Sequence, residues 1–211
     1  MHIKSFQFNP FQENTYVLSD DTGEAVIIDC GCLSSNEDER LTLYLTTEKL
    51  HVKHVLNTHL HLDHSFGNYM AAHTLGVLPE AHQADEFLIG QLIAQSQAFG
   101  IQGVVREQPL GGYLQEGAVV SPGRPQLEVL HVPGHSPGSI CFYCRAENVI
   151  FVGDVLFAGS IGRTDLPKGN YAELITGIQR KLLVLPDETI VYSGHGPTTT
   201  IGNERVNNPY L

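Results

Sequence analysis

The most informative stretch of the chain is a short loop rich in histidine. It reads Thr58-His59-Leu60-His61-Leu62-Asp63-His64. The loop directly follows residues 52–57, which we predict to form a strand. Residues two apart in an extended segment point to the same side, so His59 and His61 can bind one metal ion. Asp63 and His64 can then turn toward a second ion, and the stretch predicts a two-metal site.

Three further candidate ligands also follow predicted strands. They are His135 in Pro133-Gly134-His135-Ser136, Asp154 after Gly153, and His195 between Gly194 and Gly196. Imidazole nitrogen and carboxylate oxygen suit zinc, iron or manganese. A bridging carboxylate can hold two ions roughly 3.5–4 Å apart, where a shared water is activated as hydroxide. Asp154 is the candidate bridge, and we expect Asp63 and Asp154 to be the catalytic carboxylates.

The clustering of histidines distinguishes this pattern from ordinary packing. An isolated histidine is more often a surface or core residue than a ligand. Of the 11 histidines in the chain, five lie in the loops just described. We assign the remaining histidines no role.

Composition limits the classes of partner. A chain of 211 residues is predicted to form one domain over residues 1–211. Its net charge of -11 disfavours nucleic acid, because binding a polyanion requires lysine and arginine. The first residues lack the order of a signal peptide, and no apolar run reaches the roughly 18 residues needed to span a bilayer. We therefore expect a cytoplasmic protein that acts on a small molecule.

The order of predicted elements indicates an α/β fold. Strands come in two batches, each followed by helices, which favours two sheets packed on each other with helices outside. One helix is predicted over residues 84–98 with Ala94 facing inward, and a short strand over residues 77–78. In the predicted strand that contains them, Cys141 and Cys144 point to opposite faces and cannot share an ion.

The motifs in their order resemble those of the metallo-β-lactamase superfamily. The resemblance rests on His59-x-His61-x-Asp63-His64, His135, Asp154 and His195 and covers most of the chain. It implies a four-layer αββα sandwich with the metal site along one edge of the sheets. It also implies a division of ligands: metal 1 on His59, His61 and His135, metal 2 on Asp63, His64 and His195, and Asp154 on both. By the same resemblance, Asp29 supports the site from behind.

Two other segments resemble the short glyoxalase II-like hydrolases. They are residues 159–165, which include Arg163, and residues 194–204. This resemblance implies cleavage of S-acyl glutathione thioesters by a metal-activated hydroxide, with two divalent ions, zinc first and iron or manganese as alternatives. Full-length glyoxalase II enzymes hold glutathione with basic residues of a further helical domain, so Arg163 is the candidate substrate residue here. An ion pair with Asp165 is the competing interpretation of Arg163.

Other functions stay open at this point. A persulfide dioxygenase would bind a single iron through His59, His135 and Asp154. Leu166-Pro167 stands where that class is expected to have an aromatic residue, which favours the hydrolase. Hydrolysis of lactones or other esters is a weaker alternative, and a non-catalytic metal-binding protein is the weakest. A secreted β-lactamase is disfavoured because we expect no signal peptide.

Overall fold

Two mixed β-sheets form the centre of the protein. A computed structural model describes residues 1–121 and 123–211. The first sheet contains β1 (His2–Phe8), β2 (Glu13–Ser19), β3 (Glu24–Ile28), β4 (His51–Leu56), β5 (Pro79–Ala81) and β6 (Gly112–Tyr113), in that order. Its first three strands are antiparallel, and the pairs from β3 to β6 are parallel.

The second sheet also contains both parallel and antiparallel strand pairs. It contains β7 (Val119–Val120), β8 (Leu127–His131), β9 (Ile140–Cys144), β10 (Val149–Gly153), β13 (Ile190–Ser193) and β14 (Thr199–Thr200). The order across the sheet is β14-β13-β10-β9-β8-β7, and only the β10–β13 pair is parallel. A small hairpin of β11 (Leu156–Phe157) and β12 (Ser160–Ile161) lies between β10 and β13 in the chain.

Helices cover the outer faces of both sheets. They are α1 (Ser35–Thr47), α2 (Leu62–Ser65), α3 (Asn68–Met70), α4 (Leu92–Ala98), α5 (Tyr171–Gly177) and α6 (Ile201–Asn207). π-helical turns at Ala71–Leu75 and Ile178–Leu182 continue α3 and α5, and 3₁₀ segments occupy Gln83–Gln91 and Arg145–Glu147. Ser34 caps α1 in a capping box with Glu37. Within the described residues, none of these helices is both long and apolar enough to cross a membrane.

Three buried apolar layers account for the αββα architecture. Between the sheets, Leu18 and Val26 meet Phe142 and Phe151. Outside the first sheet, other strand residues pack on Leu41 of α1, and outside the second sheet a separate cluster includes Leu174 of α5. Since each sheet is apolar on both faces, each must be covered on both sides. The predicted fold class is confirmed.

Local expectations failed where helical turns change type. The helix predicted over residues 84–98 is a 3₁₀ segment followed by α4, and the prediction that Ala94 is buried is wrong because the tighter turns shift the phase of the helix. Ser96 is buried instead and donates its hydroxyl proton to the Leu92 carbonyl at 2.7 Å. The strand predicted over residues 77–78 lies instead at Pro79–Ala81. Cys141 and Cys144 do belong to different apolar layers.

Candidate metal centre

The fold brings all seven predicted ligands to one edge of the two sheets. The loop after β4 supplies His59 and His61, and the short helix α2 carries Asp63 and His64. From the second sheet, the loops that follow β8, β10 and β13 supply His135, Asp154 and His195. Since these strand ends meet at a common edge, residues distant in sequence become neighbours. Donor atoms of two groups, His59/His61/His135 and Asp63/His64/His195, lie within 4.8 Å of one another in each group.

In the first group, three imidazole nitrogens face each other. His135 Nε2 lies 3.2 Å from His59 Nε2 and 2.8 Å from His61 Nδ1. All three side chains are buried. The three donor atoms are close enough together to hold one metal ion.

The second group combines imidazole with carboxylate. His195 Nε2 lies 3.1 Å from Asp63 Oδ2 and 3.3 Å from His64 Nε2. Asp154 stands between the groups: its Oδ1 is 3.3 Å from His64 Nε2, and its Oδ2 is 3.7 Å from His135 Nε2 and 3.6 Å from His195 Nε2. One carboxylate therefore contacts both groups, as the bridging prediction requires.

Hydrogen bonds on the far side of four rings decide which nitrogen faces the centre. The Nδ1 atoms of His59, His64, His135 and His195 lie 3.1, 3.0, 2.8 and 3.1 Å from Thr58 Oγ1, Asp29 Oδ2, the Arg163 carbonyl and the Phe11 carbonyl, respectively. Carbonyl and carboxylate oxygens only accept, so these Nδ1 atoms donate. Thr58 Oγ1 gives its own proton to Asp29, so it too accepts from the ring. A ring that donates from Nδ1 in this way directs its Nε2 toward the centre, where Nε2 can bind a metal ion when it is deprotonated.

This donor set fits divalent cations. Lone pairs and carboxylates that face one another repel unless positive charge lies between them. Asp154 Oδ1, which lies between the two groups, is buried without a hydrogen-bond partner among the described residues. Burial, followed by neighbouring histidines, lowers the pKa of His59 well below its usual value and that of His61 to about 3, so both rings are neutral at pH 7, the form that binds metal.

The pKa shifts of the second group and of Asp154 also favour a bound cation. Burial alone would lower the pKa of His64, but Asp154, Asp63 and Asp29 together raise it well above its usual value. Burial alone would raise the pKa of Asp154, yet the adjacent histidines, His64 first, hold it below the usual range. The carboxylates therefore stay ionised and draw positive charge into the site, a role that a metal ion fills.

Comparison with known proteins identifies the family. Residues 8–195 match the Metallo-beta-lactamase superfamily, which is most of the chain. The chain belongs to this superfamily. It is 40% identical over 212 residues to a Haemophilus influenzae protein named hydroxyacylglutathione hydrolase GloC, covering 100% of this chain and 98% of that protein.

Solved structures of other superfamily members have the same fold. BLEG-1 B3 metallo-beta-lactamase superimposes with a TM-score of 0.90 at 38% identity, covering 100% of this chain and 99% of that one. TTHA1623 in a di-iron-bound form gives 0.87 at 36% identity, with coverage of 99% and 100%. ETHE1 from Myxococcus xanthus gives 0.78 at 26% identity, with coverage of 99% and 84%.

Asp29 supports the metal centre through hydrogen bonds, as the resemblance implied. Its carboxylate accepts the Thr58 backbone N–H and hydroxyl, each at 2.7 Å, and the His64 ring N–H at 3.0 Å. Its backbone is left-handed, with φ of 54°. A non-glycine residue in this conformation is uncommon, and here the bonds of the side chain hold it in place.

Sequence reasoning missed two buried acids beside the ligands. Asp85 accepts the Leu60 N–H at 3.2 Å, the Ser136 hydroxyl at 2.6 Å and the Gly138 N–H at 2.6 Å. Glu13 is also buried, and burial raises the pKa of its carboxyl well above the usual value. Glu13 occurs in a polar stretch that looks like an exposed loop, and Asp85 stands among polar residues in the first turn of the helix predicted over residues 84–98. No periodic signal in the sequence therefore separates them from surface acids.

Arg163 pairs with Asp165 and also lines the cavity above the metal centre. Two 2.7 Å hydrogen bonds join its guanidinium to the Asp165 carboxylate, the competing interpretation of the sequence. The cavity, about 350 Å³ in volume, reaches from Arg163 to ligands of both groups. Contact of Arg163 with a substrate stays a prediction.

Proposed function

We propose that the protein is a thioester hydrolase that acts on S-acyl glutathione-type substrates with two bound divalent ions. The observation that carries the proposal is the pair of three-donor groups joined by Asp154. It is supported by 40% identity over the full chain to the protein named hydroxyacylglutathione hydrolase GloC. In this proposal the seven predicted residues are the ligands, with Asp63 and Asp154 the catalytic carboxylates.

The chemistry divides between metal and protein. Bound divalent ions would lower the pKa of a water to supply hydroxide and would stabilise the oxyanion formed at the thioester carbonyl. The protein's residues bind and orient: the Phe11 and Arg163 carbonyls and Asp29 fix the histidine rings. A thiolate leaves with little need for a proton, since thiol pKa values lie near about 8.5. No general acid is therefore required of the chain.

Zinc is the proposed metal, with iron or manganese as the alternatives. Neutral imidazole and carboxylate suit all three. The di-iron-bound form of TTHA1623 supports iron as the first alternative. A cytoplasmic location is part of the same proposal.

The direct test is hydrolysis after metal reconstitution. Protein stripped with a chelator and reloaded with zinc, iron or manganese is assayed with S-lactoylglutathione, a simple ester, a lactone and a β-lactam. We expect the thioester to give the highest kcat/KM, and Asp154→Ala to lower it by about 10²- to 10³-fold, the scale of one lost electrostatic contact. The β-lactam is included because BLEG-1 is a metallo-beta-lactamase with 38% identity. No thioester hydrolysis with any metal would refute the proposal.

Metal content tests the ligand assignment separately. We expect Asp154→Ala to lower occupancy of both positions, because its carboxylate contacts both groups. His195→Ala should empty mainly the position shared with Asp63. His51→Ala, which removes an exposed histidine, is the control. Metal analysis that shows unchanged content in the first two variants would contradict the assignment.

A mononuclear iron persulfide dioxygenase is the second candidate. It would use His59, His135 and Asp154, which also lie together here. Against it, Asp63 and His195 form a second convergent set that a single iron leaves unused. One iron per chain together with oxygen consumption on glutathione persulfide would favour this candidate over the hydrolase.

A further inference from the structure

The cavity above the metal centre has one polar end and an apolar wall. Ligands of both groups, including His61 and Asp154, form its inner end. The wall consists of Phe11, Leu62, Phe99, Leu166 and Pro167. A substrate whose carbonyl reaches the inner end must therefore lay one of its substituents along this apolar wall.

Two aromatic rings dominate the wall. Phe11 and Phe99 pack edge to face, with ring centroids 5.8 Å apart and an interplanar angle of 89°. Phe99 is 59% exposed, although it follows α4 and that helix is anchored by the buried Leu92. Leu92 and Leu62 belong to one buried apolar cluster, and Phe11 packs against it, so the anchored helix holds Phe99 beside the cavity. A large apolar ring that stays partly exposed to solvent beside a reaction centre is suited to bind an apolar group.

The polar side chains of the wall already have partners. The Arg163 guanidinium is bonded twice to Asp165. Gln95 donates its amide N–H to Gln91 at 3.1 Å. The carboxylates of a glutathione moiety would thus have to compete with Asp165 for the cation on this wall, whereas an apolar chain needs no such exchange.

We propose that this wall is a subsite for the acyl chain of the substrate and that it selects apolar acyl groups over lactoyl. The inference rests on the proposed thioester hydrolysis and names the half of the substrate that carries specificity. Of the two halves of an S-acyl glutathione, the peptide is charged and polar and the acyl chain is the one that matches Phe11 and Phe99. Phe11 belongs to both the metal centre and the subsite, because its carbonyl orients His195 and its ring forms part of the wall.

Chain-length dependence of hydrolysis tests the subsite. The zinc-loaded protein is assayed with acetyl, butyryl, hexanoyl and octanoyl thioesters of glutathione, with lactoyl for comparison. Burial of a methylene is worth about 0.8 kcal/mol, or about fourfold, so kcat/KM should rise by up to about fourfold for each methylene until the wall is covered. Phe99→Ser should reduce the rise to below about twofold for each methylene, and Phe99→Leu should restore part of it.

The control is Tyr210→Ser, which removes an aromatic residue that is 51% exposed outside the cavity. It should leave the chain-length dependence unchanged. The same dependence in Phe99→Ser as in the unaltered protein, or no rise with chain length at all, would overturn the subsite.

Binding of the free acids separates this inference from the proposed activity. Calorimetry with acetate, butyrate, hexanoate and octanoate requires no turnover. If no thioester is hydrolysed but affinity rises with chain length and depends on Phe99, the subsite stands and the proposed function fails. If thioesters are hydrolysed without any dependence on chain length, the function stands and the subsite fails.

Discussion

At Asp85, one buried side chain touches two of the loops that carry ligands. It accepts the N–H of Leu60, which lies between His59 and His61, and it accepts from Ser136 and Gly138 in the loop of His135. Carboxylate geometry suits three donors at once. The residue therefore fixes the spacing of the first ligand group without facing the metal centre.

Replacing Asp85 should weaken metal binding. In Asp85→Asn, the amide NH₂ faces groups that donate, so at least one bond to the two loops is lost. We expect metal affinity or activity to fall by about 10- to 100-fold, the usual cost of losing a residue that orients ligands. Titration of metal-free protein measures the affinity, and excess metal should restore part of the activity.

Glu86→Gln is the matched control, because the neighbouring Glu86 is exposed and accepts only the Tyr113 hydroxyl among the described residues. Its metal affinity should not change. An Asp85→Asn variant that binds metal as tightly as this control would contradict the positioning role.

Among the elements, helix α5 packs directly against the loop of His135. Gly134 has φ of 135°, and a Cβ there would lie 2.5 Å from the backbone nitrogen and Cβ of Leu174. Gly134→Ala should therefore destabilise the fold by about 1–3 kcal/mol through overpacking and displace His135. Denaturant unfolding and metal content measure the two effects.

The control for this prediction is Gly90→Ala, where a Cβ would meet nothing within 4 Å. It should leave both the stability and the metal content nearly unchanged. Equal stability of the two variants would show that α5 yields to the added methyl group.

Glu204 of α6 joins the two segments that resemble glyoxalase II-like proteins. Its buried carboxylate accepts from Gly159 at 2.9 Å, Thr199 at 2.6 Å, Asn203 at 2.7 Å and Asn208 at 2.8 Å. Burial alone would raise its pKa, but these bonds lower the pKa below the usual 4.5. The helix and the loop after β11 are thus held together by one ionised group.

Stability should depend on the ionisation of Glu204. A pKa that is lower in the folded state gives stability that is fully present above about pH 4.3 and is lost as the pH falls through the folded value. The difference in unfolding free energy between the unaltered protein and Glu204→Gln should therefore be largest near pH 7 and shrink below about pH 4. Glu188→Gln, at an exposed site, should show no such trend. A difference that is independent of pH would contradict the assignment.

On the scale of the whole molecule, the metal centre joins the two sheets. The loops of the first sheet supply the candidate ligands His59, His61, Asp63 and His64, and those of the second sheet supply the other three. Removing the metal leaves facing lone pairs and carboxylates uncompensated across this junction. We expect chelated protein to unfold at a lower denaturant concentration. Its free energy of unfolding should be lower by about 2.7 kcal/mol for each ion that the loaded protein binds at 100 times the dissociation constant. The unfolding free energy of Asp154→Ala should change little when metal is added. If metal stabilised the unaltered protein no more than this variant, that result would argue against the metal centre.

The candidate ligands could be named from the sequence because they lie in loops or short turns that follow strands, with their residue types and spacing visible. Local periodicity also predicted most strands and α1, since these elements pack one regular face. It failed over Gln83–Gln91, where 3₁₀ geometry changes the repeat. Asp85 and Glu13 carry no local signal, because only distant partners make them buried.

The sequence by itself determined the fold class and the identity of the candidate ligands, because both depend on local pattern: strand, loop and donor type. Only the tertiary structure brought the donors within reach of one another, since His59 meets His135 across 76 positions and His64 meets His195 across 131. It also decided which ring nitrogen of four histidines faces the centre and placed Phe11 and Phe99 together in the apolar wall. These properties arise from contacts between segments that chain folding brings together, and no stretch of sequence contains them.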